Sequence, residues 1–197
     1  MTASEKLNRR EVVKSLLSNR GETLVVSGLG QPAYDAFAAG DDPRNFYLWG
    51  AMGGAASMGL GLAVAQPERR VVVLTGDGEL LMGLGSLAAV GAEKAGNLAI
   101  VVLDNERYGE TGQQKTHTGR GTDLAAVAMA VGFRTALTVA DEADLPEAIR
   151  IAREGEGPVM VVIKVSEAPA GMALPPKDGA YLKMRFREAV LGDRTPG

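Results

Sequence analysis

Apolar positions along the chain fall into two patterns, unbroken runs and helical stripes. The runs TLVVS (23–27), VVVLT (71–75), LAIVVLD (98–104) and PVMVVIKV (158–165) predict strands buried on both faces. NFYLW (45–49) and FRTALTV (133–139) add two further strand candidates. Between these runs the apolar residues recur at helical spacing. Thr2-Ala-Ser-Glu5 and Asn8-Arg-Arg-Glu11 both have capping-box spacing. The stripe Val12, Val13, Leu16 and Leu17 follows, predicting a first helix that ends near Asn19-Arg20-Gly21. A helix to Ala39 precedes a turn at 40–43. Small residues over 53–65 predict a helix whose backbone closely approaches a neighbour or a ligand, stopped by Pro67. Residues 80–95 read as one helix with Leu80, Leu84, Leu87 and Gly91 on one face. Residues 123–131 and 142–153 predict two more, the second with Pro146 in its first turn.

Apolar strands alternating with helices indicate a mostly parallel sheet covered on both faces, an α/β domain of three layers, α/β/α. ERYGETGQQKTHTGRG (106–121) is a polar, glycine-punctuated loop of a length that is usually functional or disordered. A loop rich in Ala, Pro and Gly (167–180) leads to a short amphipathic helix with Leu182, Phe186, Ala189 and Val190 on one side. The tail GDRTPG is expected to fray. No repeat or linker interrupts the chain. It reads as one domain over 1–197, with a core at about 23–165 and a C-terminal extension at 166–197.

Composition narrows the classes. The chain has 197 residues, 46% hydrophobic and 23% charged, as expected of a globular protein with a full core. A net charge of −3 argues against nucleic acid as a partner. The absence of cysteine removes disulfides, thiolate nucleophiles and iron–sulfur clusters, and fits a reducing compartment. The charged N-terminus has no apolar segment of the secretory type, so a cytoplasmic location is expected. WGAMGGAASMGLGLAVA (49–65) carries no charge, but 17 residues with five glycines are marginal for a membrane span. A helix packed tightly inside a soluble domain accounts for it better.

Two glycine patterns carry candidate chemistry. Gly28-Leu-Gly-Gln-Pro-Ala33 follows a strand and matches a dinucleotide fingerprint. Such a site also needs an acid roughly 20 residues on, to hold a ribose. Leu48-Trp49-Gly50 occupies that region, which disfavours NAD and leaves a phosphate-facing turn open. Asp77, between Gly76 and Gly78, and Asn105 both follow predicted strands. Carboxyl ends of parallel strands are where ligands bind, and this pair suits a hard cation bridging protein and phosphate oxygens. On pattern alone, two ordinary strand-end turns remain an equal alternative.

Family resemblance separates these alternatives. GDG, 26 residues and then Asn105 resembles the thiamin-diphosphate motif of decarboxylases, acetolactate synthases and transketolases. Trp49-Gly-Ala-Met-Gly53 resembles the G-[SA]-[MI]-G segment of the decarboxylase branch. Leu103-Asp-Asn-Glu-Arg-Tyr-Gly-Glu-Thr-Gly-Gln-Gln114 is similar to a stretch of sulfopyruvate and phosphonopyruvate decarboxylases. The resemblance spans about 25–165 and implies the diphosphate-binding (PP) domain of such an enzyme, with no room for a second domain.

The resemblance implies roles for matched residues. Asp77, Asn105 and the carbonyl of Arg107 would ligate Mg²⁺, with diphosphate oxygens completing the shell. The amides of Gly78, Glu79 and Leu80 would donate to the diphosphate. Gly28, Gly30, Gln31, Gly76, Tyr108 and Gly109 would border the cofactor. Met52 would prop its bent conformation, a plain core methionine being the alternative. The carbonyl of Gly50 would accept from the cofactor's 4′-amino group. Thr111-Gly112-Gln113-Gln114 and His117 would lie near the substrate. His117 is either an acid/base or a solvent-exposed loop histidine. Lys115 and Arg120 are charges for an anionic substrate or simply surface charges.

The glutamate that activates the cofactor comes, in this family, from a pyrimidine-binding (PYR) domain. Glu79, Glu106 and Glu110 match the metal side and do not substitute for it. The implied protein is a β-type subunit, inactive alone, paired with an α-type PYR subunit in a hetero-oligomer such as α2β2. The implied reaction is decarboxylation of a 2-oxo acid, with a 3-sulfo- or 3-phosphono-pyruvate preferred. An acetolactate synthase-like carboligase subunit and a non-catalytic thiamin-diphosphate-binding module are the alternatives. Oxidoreductase β-subunits usually carry cluster cysteines, and this chain has none.

Overall fold

Six strands pair in parallel in the order β2-β1-β3-β4-β8-β7. They are β1 (Leu24–Ser27), β2 (Asn45–Tyr47), β3 (Val71–Gly76), β4 (Leu98–Asp104), β7 (Thr135–Val139) and β8 (Val159–Lys164). The computed structural model describes residues 6–168 and 170–192. The first capping box, at 2–5, and residues 193–197 of the predicted fraying tail lie outside the described residues. The four inner strands, β1, β3, β4 and β8, are the unbroken apolar runs, because only a strand covered on both faces needs apolar residues at every position. Their alternate side chains feed two cores. Val72, Leu74, Val101, Leu103, Val161 and Ile163 pack with α1 (Arg9–Leu17), α2 (Gln31–Ala38) and α7 (Leu145–Glu154). Val71, Val73, Ile100, Val102, Met160 and Val162 pack with α3 (Ala55–Ala65), α5 (Ser86–Glu93) and α6 (Leu124–Ala130). This is the expected three-layer α/β/α arrangement.

Local chemistry sets the ends of several elements. The Asn8 side chain accepts from the amides of Arg10 and Glu11 and caps α1. Asp178 caps α8 (Gly179–Leu191) in the same way, accepting from Ala180 and Tyr181. Leu182 and Phe186 of α8 are buried, and the Phe186 ring meets Phe46 edge-on at 5.4 Å, so the C-terminal helix covers the sheet at its β2 edge. Among the described residues no helix is long and apolar enough to cross a membrane. The uncharged stretch 49–65 is a turn followed by α3. The closeness expected of that helix is present: a Cβ on Gly59 would stand 2.1 Å from Val73 Cγ2.

The predicted helix over 80–95 is broken in two. α4 (Asp77–Met82) starts directly at the end of β3 and stops before Gly83, and α5 begins at Ser86. The cause is a crossing of two backbones. A Cβ on Gly83 would stand 2.1 Å from the carbonyl oxygen of Gly53, and one on Gly53 would stand 2.7 Å from the Gly83 nitrogen. Gly53 also adopts φ +87°, a conformation costly for other residues. Leu80 and Leu87 still share one core, so the stripe identified core residues correctly while hiding the break.

The polar segment 106–121 is ordered. It forms an antiparallel hairpin of β5 (Arg107–Tyr108) and β6 (Gln114–Lys115), then a 3₁₀ turn at Thr118–Arg120. Smaller shifts have local reasons. The helix expected from 142 opens as a 3₁₀ turn (Glu142–Asp144), and its α part begins at Leu145, where Pro146 suits the first turn. The strand expected over 133–139 begins at Thr135, and the one expected over 45–49 ends at Tyr47.

Candidate functional site

The sheet order reverses direction at β1 and β3, since β1 leads outward to β2 and the chain then returns to β3 and β4. Carboxyl ends at such a switch point leave a crevice. Here it holds a cavity of about 170 Å³. Gly30, Gln31, Met52, Gly76, Asp77, Gly78, Glu79, Asn105, Arg107, Tyr108 and Gly109 all line it. Four separate stretches of sequence therefore meet at one place.

Four predicted site residues fall outside this lining. Gly28 directly follows β1, where a Cβ would stand 1.6 Å from the Glu79 carboxylate. Gly50 is exposed on the turn before Met52, with φ +72°. The Leu80 side chain is buried in the core. His117 is exposed on the surface, where its carbonyl accepts from the amides of Arg120 and Thr122. Met52 is 39% exposed on the cavity rim.

Asp77 is the electrostatic centre of the cavity. It is 1% exposed, and its Oδ2 accepts from Thr116 Oγ1 at 2.5 Å and from Thr118 Oγ1 at 2.9 Å. Thr118 also stands 2.8 Å from Asp104 Oδ1. Burial pushes the Asp77 carboxyl up to about 6; Asp104 adds to the rise and the threonine hydroxyls oppose it. Asp104 pairs with Lys164 at 2.7 Å, across the register that sets β4 beside β8. Lys164 also pairs with Glu106, at 3.0 Å. The charge of Asp104 is thus balanced. Among the described residues Asp77 has no ion-pair partner, so its ionised form is a buried charge that a bound cation would relieve.

The surrounding groups suit a hard cation. No group of three His, Cys, Asp or Glu residues placed to hold a metal occurs among the described residues, so a metal here would rely on oxygen from one carboxylate, an amide, a carbonyl and its own ligand. Asn105 is held in an Asx turn, its Oδ1 accepting from the Arg107 amide at 3.0 Å and its Nδ2 donating to Gln31 at 3.4 Å. Glu79, 4% exposed, accepts from Thr75, and burial pushes its carboxyl up.

Sequence reasoning missed Thr116 and Thr118. Their signal was a pair of hydroxyls flanking the histidine that drew attention instead. Both threonines hold Oδ2 of Asp77 and thereby fix the carboxylate plane. If a cation sits at Asp77, replacing both with valine should weaken its binding about tenfold, comparable to the loss of outer-shell partners at other metal sites, which titration with a divalent cation would measure.

Comparison with known proteins agrees with this geometry. A family model for thiamine pyrophosphate enzymes, describing their C-terminal TPP-binding domain, matches residues 29–163. Sulfopyruvate decarboxylase subunit beta of Methanocaldococcus jannaschii is 38% identical over 185 residues, 92% of this chain and 96% of that protein. Its counterpart in Methanothermobacter thermautotrophicus is 39% identical over 186 residues, 94% and 97%. Phosphonopyruvate decarboxylase of Streptomyces viridochromogenes is 40% identical over 180 residues, covering 89% of this chain and 45% of that one. Among solved structures, a thiamine diphosphate-dependent 4-hydroxybenzoylformate decarboxylase of Rhodococcus jostii superposes with TM-score 0.71 at 18% identity, a likeness of fold. It covers 86% of this chain and 34% of that one. With its family model matched over most of its length and its motifs gathered at one cavity, the chain belongs to the thiamine pyrophosphate enzymes, as their C-terminal TPP-binding domain.

Proposed function

We propose that this chain is the diphosphate-binding, β-type subunit of a thiamin-diphosphate-dependent 2-oxo acid decarboxylase acting on an anionic 3-substituted pyruvate such as sulfopyruvate. The observation that carries the reading is Asp77, a buried carboxylate with no ion-pair partner among the described residues, lining one cavity with Asn105 and Arg107. Asp77, Asn105 and the Arg107 carbonyl would hold Mg²⁺, and the amides of Gly78, Glu79 and Leu80 would receive the diphosphate. Thiamin diphosphate, when bound, supplies the nucleophilic carbon and the electron sink for loss of CO₂. The chain's own residues anchor the charged end and, through Met52, support the ring end.

A separate PYR-type subunit would complete the site. A cavity of about 170 Å³ is smaller than the roughly 300–1,000 Å³ usual for a ligand site, and Met52 is left open on its rim. The names of the relatives, subunit beta, support the same division. Mixed with an α-type partner, Mg²⁺ and thiamin diphosphate, the chain should release CO₂ and an aldehyde from 3-sulfopyruvate. Robust turnover by the purified chain alone would overturn the split-subunit reading, and a condensed acetohydroxy acid product would point to a carboligase.

Metal binding should depend on pH. The folded pKa of Asp77 is raised from 3.8 to about 6, so a proton competes with the metal below about pH 6. Apparent Mg²⁺ affinity should fall about tenfold per pH unit below that point and level off above about pH 7. Mg²⁺ titrations from about pH 5 to 8 would show a flat profile if Asp77 were not a ligand.

A further inference from the structure

Arg9 is a buried charge at this cavity to which the cofactor reading gives no role. It opens α1, is 5% exposed, and lines the same cavity as Gln31, Asp77 and Asn105. Its Nε donates to Asp35 Oδ2 at 2.5 Å, and Asp35 on α2 is fully buried. Arg10 donates to the other oxygen of the same carboxylate at 3.2 Å. Two guanidiniums thus share one carboxylate, which leaves one net positive charge. Arg10 is partly exposed and also donates to the Gly171 carbonyl, so solvent and that carbonyl stabilise it. Arg9 Nη1 has neither: it is sealed from solvent and has no hydrogen-bond partner. Burial removes water from a guanidinium N–H, and an unreplaced partner is uncommon enough to need an explanation.

The geometry points to Arg9 as the oxyanion anchor of the cavity, its guanidinium donating to an oxygen of a phosphate or sulfonate group. Asp35 holds the planar guanidinium by Nε, which fixes its plane before any ligand arrives. An anion seated there would share the cavity with the cation proposed at Asp77. The inference rests on the cofactor reading for its two candidate sources: the diphosphate of the cofactor, or the sulfonate or phosphonate of the substrate.

The test compares wild type with Arg9→Lys, in the full chain with its partner subunit and Mg²⁺, by calorimetry. Lysine keeps a charge facing Asp35 but has no second planar donor. Three probes are used: thiamin diphosphate, thiamin without phosphates, and sulfoacetate. An anchor for the cofactor predicts at least a tenfold loss for thiamin diphosphate with thiamin unchanged. An anchor for the substrate predicts unchanged thiamin diphosphate and a tenfold loss for sulfoacetate. A folded Arg9→Lys chain that binds all three like wild type overturns the inference. If Arg9→Lys does not fold, the side-chain ¹⁵N resonance of Arg9 in the wild type decides: it must shift with Mg²⁺–diphosphate or with sulfoacetate, and a resonance unmoved by both overturns the assignment. Failure of the cofactor reading looks different, because wild type itself would then bind no thiamin diphosphate while inorganic diphosphate still probes Arg9.

Discussion

Asp77→Ala should raise the dissociation constant for thiamin diphosphate in the presence of Mg²⁺ at least a hundredfold, about 2.7 kcal/mol. Asn105 and a carbonyl are neutral donors, so removal of Asp77 takes away the only anionic protein oxygen proposed for the metal. The diphosphate would then face Glu79 and Glu110 without a cation between them. Normal Mg²⁺-dependent quenching of Trp49, which adjoins the Met52 turn, would sink the metal assignment. The same position should behave oppositely in the ligand-free chain. Because the folded pKa of Asp77 is raised, the ionised carboxylate costs the folded state at pH 7 and costs it nothing below the unfolded value of 3.8. Asp77→Asn, which keeps an oxygen for Thr116 and Thr118, should therefore unfold several degrees higher than wild type at about pH 7. That advantage should vanish near pH 4, so thermal scans at both values check the sign as well as the size.

Gly83→Ala should destabilise the chain by about 2–4 kcal/mol, which for a domain of this length lowers the thermal midpoint by roughly 4–16 °C. The added carbon would stand 2.1 Å from the Gly53 carbonyl oxygen, and a backbone atom cannot swing aside as a side-chain end can. The two chain segments would have to part, moving the turn that carries Met52. Gly85→Ala is the control. Its Cβ meets nothing within 4 Å, and its φ of −60° suits any residue, so that variant should be neutral or slightly stabilised. Equal losses in both variants would show that helix interruption, and not the backbone crossing, limits stability.

The sheet was legible because parallel strands buried on both faces leave runs such as 71–75, 98–104 and 158–165 that no other soluble element writes. Asp77 and Asn105 were legible because strand ends at a switch point are predictable places, although the cofactor came from resemblance and not from pattern. The break at Gly83 was not visible. Leu80, Leu84 and Leu87 have the same spacing whether the helix continues or bends, and the partner that breaks it, Gly53, lies far away in sequence. Thr116 and Thr118 escaped for a similar reason. A hydroxyl has no periodic signature, and these two matter only because the folded segment brings them to the Asp77 carboxylate at the start of α4. His117, the only histidine, drew notice by its type, but the turn that places both neighbours inward leaves it on the surface.

The Gly53–Gly83 crossing also bears on redesign. It fastens the turn that carries Met52 to the short helix that begins at Asp77, so the two ends of the proposed cofactor site are cast as one part. A library that varies 49–54 to reshape the reaction space would disturb the anchor at the same time. The exposed tip of the hairpin, Thr111 to Gln114, is joined to neither glycine and contributes nothing to either core. A library placed there would leave the crossing as it is.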